Sequence, residues 1–177
     1  SSFLTPGNKI LYEIYKDKDG KLWVSAFDVE SFIIDIRDYI VQKYPLPDLR
    51  NQLKANPAIN SLCKDEDGIF WFSQDRYGLC IYDSRKEKLK HYSQCQGTRN
   101  LPFGDVTNIA RSYNHNWIWA TSYGPTVFGL SQQNMEMKED VRIELGNVTN
   151  NPGLITSLFE DPQNNLWIGT TTGLFVY

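Results

Sequence analysis

The sequence predicts an all-β protein assembled from four-stranded antiparallel sheets, and three observations carry that prediction. Tryptophans recur at positions 23, 71, 119 and 167, a constant spacing of 48 residues. A fixed period of about 40 to 50 residues marks a repeat architecture and governs every local reading. Each tryptophan run is preceded by a second apolar run: Leu11-Tyr-Glu-Ile14-Tyr15, Ile59-Asn-Ser-Leu62-Cys63, Val106-Thr-Asn-Ile109-Ala110 and Ile155-Thr-Ser-Leu158-Phe159. Each is followed by a third: Phe32-Ile-Ile-Asp-Ile36, Leu79-Cys-Ile-Tyr82, Thr126-Val-Phe-Gly-Leu130 and Leu174-Phe-Val-Tyr177. The unit therefore reads strand, polar turn, tryptophan strand, turn, strand. A weaker fourth strand follows, seen best in Lys88-Leu-Lys-His-Tyr92.

Isolated sheets of this size cannot hide both faces from water. Arranged radially about an axis, each covers its neighbour and only short edges remain, which is the β-propeller solution. Trp23, Trp71, Trp119 and Trp167 are then expected as wedges between blades, each ring burying about 150 to 250 Å². Asp17-Lys-Asp19-Gly20 and Asp65-Glu-Asp67-Gly68 are expected as tight hairpin turns. Aspartate bonds to nearby backbone there, while Gly20 and Gly68 supply positive φ.

In chain order, residues 1–5 resemble an outer strand with no unit of its own. The first repeat spans approximately 8–55. Its residues 32–40 have apolar positions that would suit an amphipathic helix, but the repeat and the β-branched content favour strand. In the connection 45–58, Asp48 is placed to cap one helical turn over 49–53, stopped before Pro57. The second repeat, 56–103, is the most regular. The third, 104–152, has lost the acidic turn, and Gly124-Pro125 leads into its third strand. The fourth, 153–177, stops before an outer strand. Together residues 1–177 form a single propeller segment.

Composition narrows the functional classes. A chain that is 41% hydrophobic and 14% aromatic is not disordered. A net charge of −3 favours neither nucleic acid nor an anionic membrane as partner. No apolar run approaches the roughly 18 residues of a membrane span, so this segment is not expected to insert. Nor does the N-terminal stretch have the basic start and apolar core of a signal peptide. Cys63, Cys80 and Cys95 share no metal-ligand spacing, and at least the first two read as small core residues. His91 and His115 stand apart from any nucleophile or carboxylate constellation. The Asp-x-Asp-Gly turns resemble the start of a calcium loop. That loop would need a ligand where Lys21 and Ile69 stand, and a bidentate glutamate where Asp28 and Arg76 stand. No metal, no cofactor and no catalytic constellation are expected.

With these residues in place, the sequence resembles the two-component regulator propeller repeat. Residues 155–170, followed by Gly173-Leu-Phe-Val-Tyr177, carry the resemblance most closely. Residues 59–83 carry it nearly as well, 11–25 in their first half, and 106–121 loosely. The resemblance implies a periplasmic sensor region of a hybrid two-component histidine kinase. Such regions usually contain two seven-bladed propellers, so this chain would be part of a larger ring, with the remaining blades of the parent chain as partners. It implies oligosaccharide ligands released from glycans, and it gives neither histidine the kinase role.

A ligand site is expected where second-to-third strand loops gather with the blade connections on one face. Its candidate residues are Phe27, Asp28, Glu30, Asp75, Arg76, Tyr77, Tyr123 and Thr171. Aromatic rings stack on sugar faces, while carboxylates and Arg bond hydroxyls. Two other readings compete: a scaffold for protein–protein interaction, and a propeller lyase or glycosidase, for which Asp28, Glu30 and Asp75 would have to converge. An open arc of blades would leave apolar faces bare, with a homodimer as one way to cover them.

Overall fold

The computed structural model describes residues 11–17, 19–26, 31–35, 38, 40–44, 59–65, 67–74, 78–92, 106–114 and 117–177. These form four antiparallel sheets. The first holds β1 (Leu11–Lys16), β2 (Lys21–Ala26), β3 (Ser31–Asp35) and β4 (Ile40–Tyr44). The second holds β5 (Ile59–Lys64), β6 (Ile69–Gln74), β7 (Gly78–Asp83) and β8 (Lys88–Tyr92). The third holds β9 (Asn108–Arg111), β10 (Ile118–Thr121), β11 (Thr126–Gln133) and β12 (Glu136–Glu144). The fourth has three strands, β13 (Ile155–Glu160), β14 (Leu166–Thr170) and β15 (Leu174–Val176). In every sheet sequential strands are neighbours, so each is a meander.

Residues 32–40 do not form one strand. β3 ends at Asp35 and β4 begins at Ile40, and these two residues are paired. The helix-like periodicity came from reading across two strands. The proposed outer strand at 1–5 and the helical turn at 49–53 lie outside the described residues.

First strands of consecutive sheets touch one another: β1 with β5, β5 with β9, and β9 with β13. The first strand of each sheet is therefore nearest the common axis and the last is outermost. Three apolar seams fill the spaces between sheets. Trp23 packs with Ile59, Leu62, Phe70 and Phe72 between the first and second, its ring tilted 4.8 Å from that of Phe70. Trp71 packs with Ile109, Ile118, Phe128 and Leu130 between the second and third. Trp119 packs with Ile143, Ile155, Leu166 and Ile168 between the third and fourth. Gly129 makes room for Trp119, since a Cβ there would stand 3.2 Å from the Trp119 ring.

These three tryptophans are the buried wedges expected of them. Trp167 is not: it is 36% exposed, in a row with Phe159 and Val176 on the outer side of the fourth sheet. The corresponding row in the second sheet, Cys63, Trp71 and Ile81, is almost fully buried because the third sheet covers it.

Polar ties reinforce the seam between the second and third sheets. The Ser61 hydroxyl accepts from the Ile109 N–H and donates to the Ile109 carbonyl, each at 3.1 Å. Farther out, the Tyr92 hydroxyl donates to the Met135 carbonyl, and Lys90 pairs with Glu136. The turn glycines behave as expected, with φ of 80° at both Gly20 and Gly68. In the fourth sheet Asn164 takes the same place at φ 68°, a conformation that asparagine tolerates better than most residues.

Candidate functional site: the two ends of the blade axis

Antiparallel strand order puts the second-to-third loops and the blade connections at one end of the axis. The first-to-second turns lie at the other. The expected ligand face is the first of these ends. Phe27, Asp28, Glu30, Asp75, Arg76 and Tyr77 fall outside the described residues. Tyr123 and Thr171 are seen at equivalent loop positions of consecutive sheets, both open to solvent. The Thr171 hydroxyl accepts from the Leu154 N–H at 3.0 Å, while the Thr171 N–H donates to the Leu154 carbonyl at 2.9 Å. Thr171 thus pins its loop to the incoming connection. Beside it, the Thr172 hydroxyl donates to the Asn151 carbonyl at 3.2 Å. In the third sheet, Thr107 and Thr121 share a hydroxyl–hydroxyl bond of 3.0 Å. This end is a rim of hydroxyls and amides with an exposed phenol at Tyr123.

The opposite end is shaped by a carboxylate–indole motif that sequence reasoning missed. At each regular turn, the first aspartate accepts from a backbone N–H with one oxygen and from its own tryptophan with the other. Asp17 takes Lys21 N at 2.9 Å and Trp23 Nε1 at 2.8 Å. Asp65 takes Ile69 N at 2.9 Å and Trp71 Nε1 at 2.8 Å. Asp161 takes Asn165 N and Trp167 Nε1, both at 2.9 Å. The acid therefore does more than shape the turn: it satisfies the one polar atom of each wedge, which would be costly to bury unpaired.

The third unit solves the same problem with a residue from the next blade. Glu160, at the end of β13, accepts from the Ser112 hydroxyl at 3.0 Å and the Tyr113 N–H at 3.1 Å with one oxygen. Its other oxygen accepts from Trp119 Nε1. A register change makes this arrangement. In the other units the residue facing the tryptophan precedes it by eight, as Tyr15 does Trp23, Cys63 does Trp71 and Phe159 does Trp167; in the third it precedes it by nine. Ala110, not Arg111, faces Trp119. Val106 to Ser112 spans the same number of residues as Ile59 to Asp65, so the additional residue lies in the turn. The closing bond there runs from Ser112 N to Trp117 O, against Asp65 N to Ile69 O in the second unit. Ser112 stands where the others have aspartate, and the turn is one residue longer.

Between the first-strand ends lies a cavity of about 820 Å³, walled by residues 14–17, 109–113 and 158–160. Burial pushes the Tyr15 phenol up to about 12, against the opposing effect of Arg111, which bonds to it. Asp17 and Glu160 are buried in the wall. Tyr113 is 57% exposed. Among the described residues, no group of three or more His, Cys, Asp and Glu converges to hold a metal. No helix among them is long and apolar enough to cross a membrane.

Residues 151–172 match the family model described as "Two component regulator propeller". A search of curated proteins finds no match. Among solved structures, the chain resembles the extracellular domain of the hybrid two component system BT4673 from B. thetaiotaomicron. The TM-score is 0.60 at 19% identity, covering 94% of this chain and 21% of that one. The extracellular domain of the hybrid two component system BT3049 from the same organism gives a TM-score of 0.61 at 17% identity, with 93% and 21% covered. The β-propeller domain of Cps50 (Swd1) from Myceliophteria thermophila gives 0.67 at 12% identity, with 98% and 57% covered. The chain thus spans about a fifth of the length of the two bacterial domains. At these identities the likeness establishes fold: the four sheets are blades of a β-propeller, and the family-model match falls on the fourth.

Proposed function

We propose that this chain is a ligand-sensing propeller segment on the extracytoplasmic side of a hybrid two-component sensor kinase, and that it responds to glycan-derived oligosaccharides. The observation that carries the reading is the match to the regulator propeller model at 151–172, in a chain whose described residues fold as propeller blades. The bacterial domains of the same fold are extracellular parts of hybrid two component systems. The rim of hydroxyls around Tyr123 and Thr171 supports a sugar ligand, because sugars exchange hydroxyl hydrogen bonds and offer ring faces to aromatics. In the whole protein, the exposed row of Phe159, Trp167 and Val176 packs against a further blade, as Cys63, Trp71 and Ile81 do here.

Calorimetry of the protein against a panel of oligosaccharides tests the reading. Binding of a panel member, weakened by joint replacement of Arg76 and Tyr77 with alanine, is the expected result. Affinity unchanged by both substitutions removes those loops from the site. No binding across the panel overturns the sensing role. Turnover assays on the same sugars are expected to show none consumed, separating a sensor from a lyase or glycosidase.

A further inference from the structure

The strip that crosses the expected ligand end of the third and fourth blades carries no charge. It is built from the loop 122–125, the blade connection 145–154 and the loop 171–173. None of the three contains a charged residue or a histidine, in a chain that is 22% Asp, Glu, Lys and Arg. The other end of the axis differs, since Lys16, Asp17, Arg111 and Glu160 share a cavity wall there. Neutrality is therefore a property of this strip and not of the chain. The carboxylate next to it in sequence, Glu144, accepts from the Thr126 hydroxyl at 2.7 Å and lies 3.9 Å from Arg142.

Hydrogen bonds hold the three pieces together. The Leu145 N–H donates to the Pro125 carbonyl at 3.0 Å and ties the connection to the Tyr123 loop. At its far end, two bonds between Leu154 and Thr171 and one from Thr172 to Asn151 tie it to the fourth blade. Gly153 permits that close approach: its φ is 72°, and a Cβ there would stand 2.6 Å from the Thr171 hydroxyl. On this fixed backbone Asn147, Asn150 and Asn151 are exposed, and their carboxamides have no partner among the described residues. Each offers two donors and an acceptor. Tyr123, Val148 and Leu154 add exposed apolar surface to the same strip.

We propose that this strip binds uncharged oligosaccharides and discriminates against acidic ones. The proposal rests on the saccharide-sensing reading and names the class of sugar for the end that carries Tyr123 and Thr171. Sugar hydroxyls that leave water for the strip regain hydrogen bonds from the carboxamides. The C–H faces of the rings find Tyr123, Val148 and Leu154. A sugar carboxylate placed there loses hydration and meets no cation within the strip, so the charged form is disfavoured.

The test is calorimetry of the protein, at one ionic strength, with neutral and uronate-containing oligosaccharides of equal length, repeated on Tyr123→Ala, Asn151→Ala and Asn150→Lys. All three positions are exposed, and melting curves confirm that the fold survives. Neutral sugars are expected to bind at least about tenfold more tightly than uronates. Tyr123→Ala and Asn151→Ala should each weaken neutral binding about fivefold. Asn150→Lys should narrow the gap between the two classes by supplying the missing cation. A gap unchanged by Asn150→Lys overturns neutrality of the strip as its cause. Uronates bound as tightly as neutral sugars overturn the class assignment and leave the sensing role standing. Neutral binding that survives both alanine substitutions overturns the strip as the site, again leaving the sensing role standing. Absence of binding by every sugar overturns the sensing role and this proposal with it.

Discussion

The second and fourth blades present the same row of residues in two situations. In the second, Cys63, Trp71 and Ile81 lie under the third blade, with Trp71 only 1% exposed. In the fourth, Phe159, Trp167 and Val176 face outward. Both tryptophans donate to the first aspartate of their own turn, at 2.8 and 2.9 Å. The blade thus makes its hairpin and its carboxylate–indole bond by itself, whereas burial comes only from a neighbour. The third blade adds the converse lesson. It lacks the turn aspartate and borrows a carboxylate from the blade that covers it, so its indole is satisfied only when the neighbour is docked.

The largest expected difference is in stability. Trp71→Ala removes a ring enclosed by two sheets and should cost about 3 to 5 kcal/mol. Trp167→Ala, on the open side, should cost much less, on the order of 1 kcal/mol. Urea melts of both variants measure this. Equal losses would mean that the exposed row is covered in solution. In that event sedimentation of the 177-residue chain across a hundredfold concentration range should reveal self-association through it.

Borrowed and resident carboxylates should also separate in a double-mutant cycle. Glu160→Ala strips acceptors from Trp119, Ser112 and the Tyr113 N–H at a buried position and should cost about 2 to 3 kcal/mol. Combined with Trp119→Phe, the losses should be less than additive by about 1 kcal/mol or more, because the two residues share a bond. Asp65→Ala should couple in the same way to Trp71→Phe and not to Trp119→Phe. Additive losses for Glu160 and Trp119 would show that the cross-blade bond is not a working tie.

Much of this comparison was legible in the residues. A constant tryptophan period required blades, and Asp-x-Asp-Gly required tight turns with left-handed glycines. The slip in the third unit was hidden by that same period, because the lengthened turn is offset by a stretch between Trp71 and Val106 that is one residue shorter than its counterparts. It left one trace: Val106 follows Ile59 by 47 residues and precedes Ile155 by 49. Glu160 was harder to find. It sits one residue before the turn aspartate, where the first two units have Lys16 and Lys64. Its role depends on a neighbour in space, which no pattern within one unit contains. The exposed state of Trp167 was likewise invisible, since burial is a property of the covering blade.

Turn geometry gives a smaller and more local contrast. Gly68 has open space for a Cβ, its nearest neighbour being Lys64 Cε at 3.7 Å, so only its φ of 80° resists substitution. Gly68→Ala should cost about 1 kcal/mol. Gly68→Asn should cost less, because Asn164 holds the equivalent place in the fourth blade at φ 68°. Thermal melts of the pair decide it. An asparagine variant no better than alanine would show that the two turns differ in more than sequence.

The smallest expected effect tests the covering blade through acid–base chemistry. Asp161 and Asp65 both accept from a turn N–H and from their own indole, and Asp161 accepts also from Gln163 N and Asn165 Nδ2; their carboxyls should titrate on opposite sides of the ordinary value of 3.8. Bonds from Trp167 and then Asn165 lower Asp161, which is only partly buried. Burial raises Asp65, outweighing its bonds from Trp71 and Ile69. The linkage signs are therefore opposite. Asp161 contributes stability that is present above 3.8 and lost as pH falls through its lowered midpoint. Asp65 contributes stability that is present below 3.8 and lost as pH rises through its raised midpoint. Carboxyl-detected NMR titration should place Asp161 below Asp65. Trp167→Phe should move Asp161 upward by removing its first stabilising donor. Covering the fourth blade, as the third covers the second, should also move Asp161 upward, because desolvation then opposes the same two bonds. A midpoint for Asp161 at or above that of Asp65 in the uncovered chain would show that neither burial of Asp65 nor the additional bonds of Asp161 separate them.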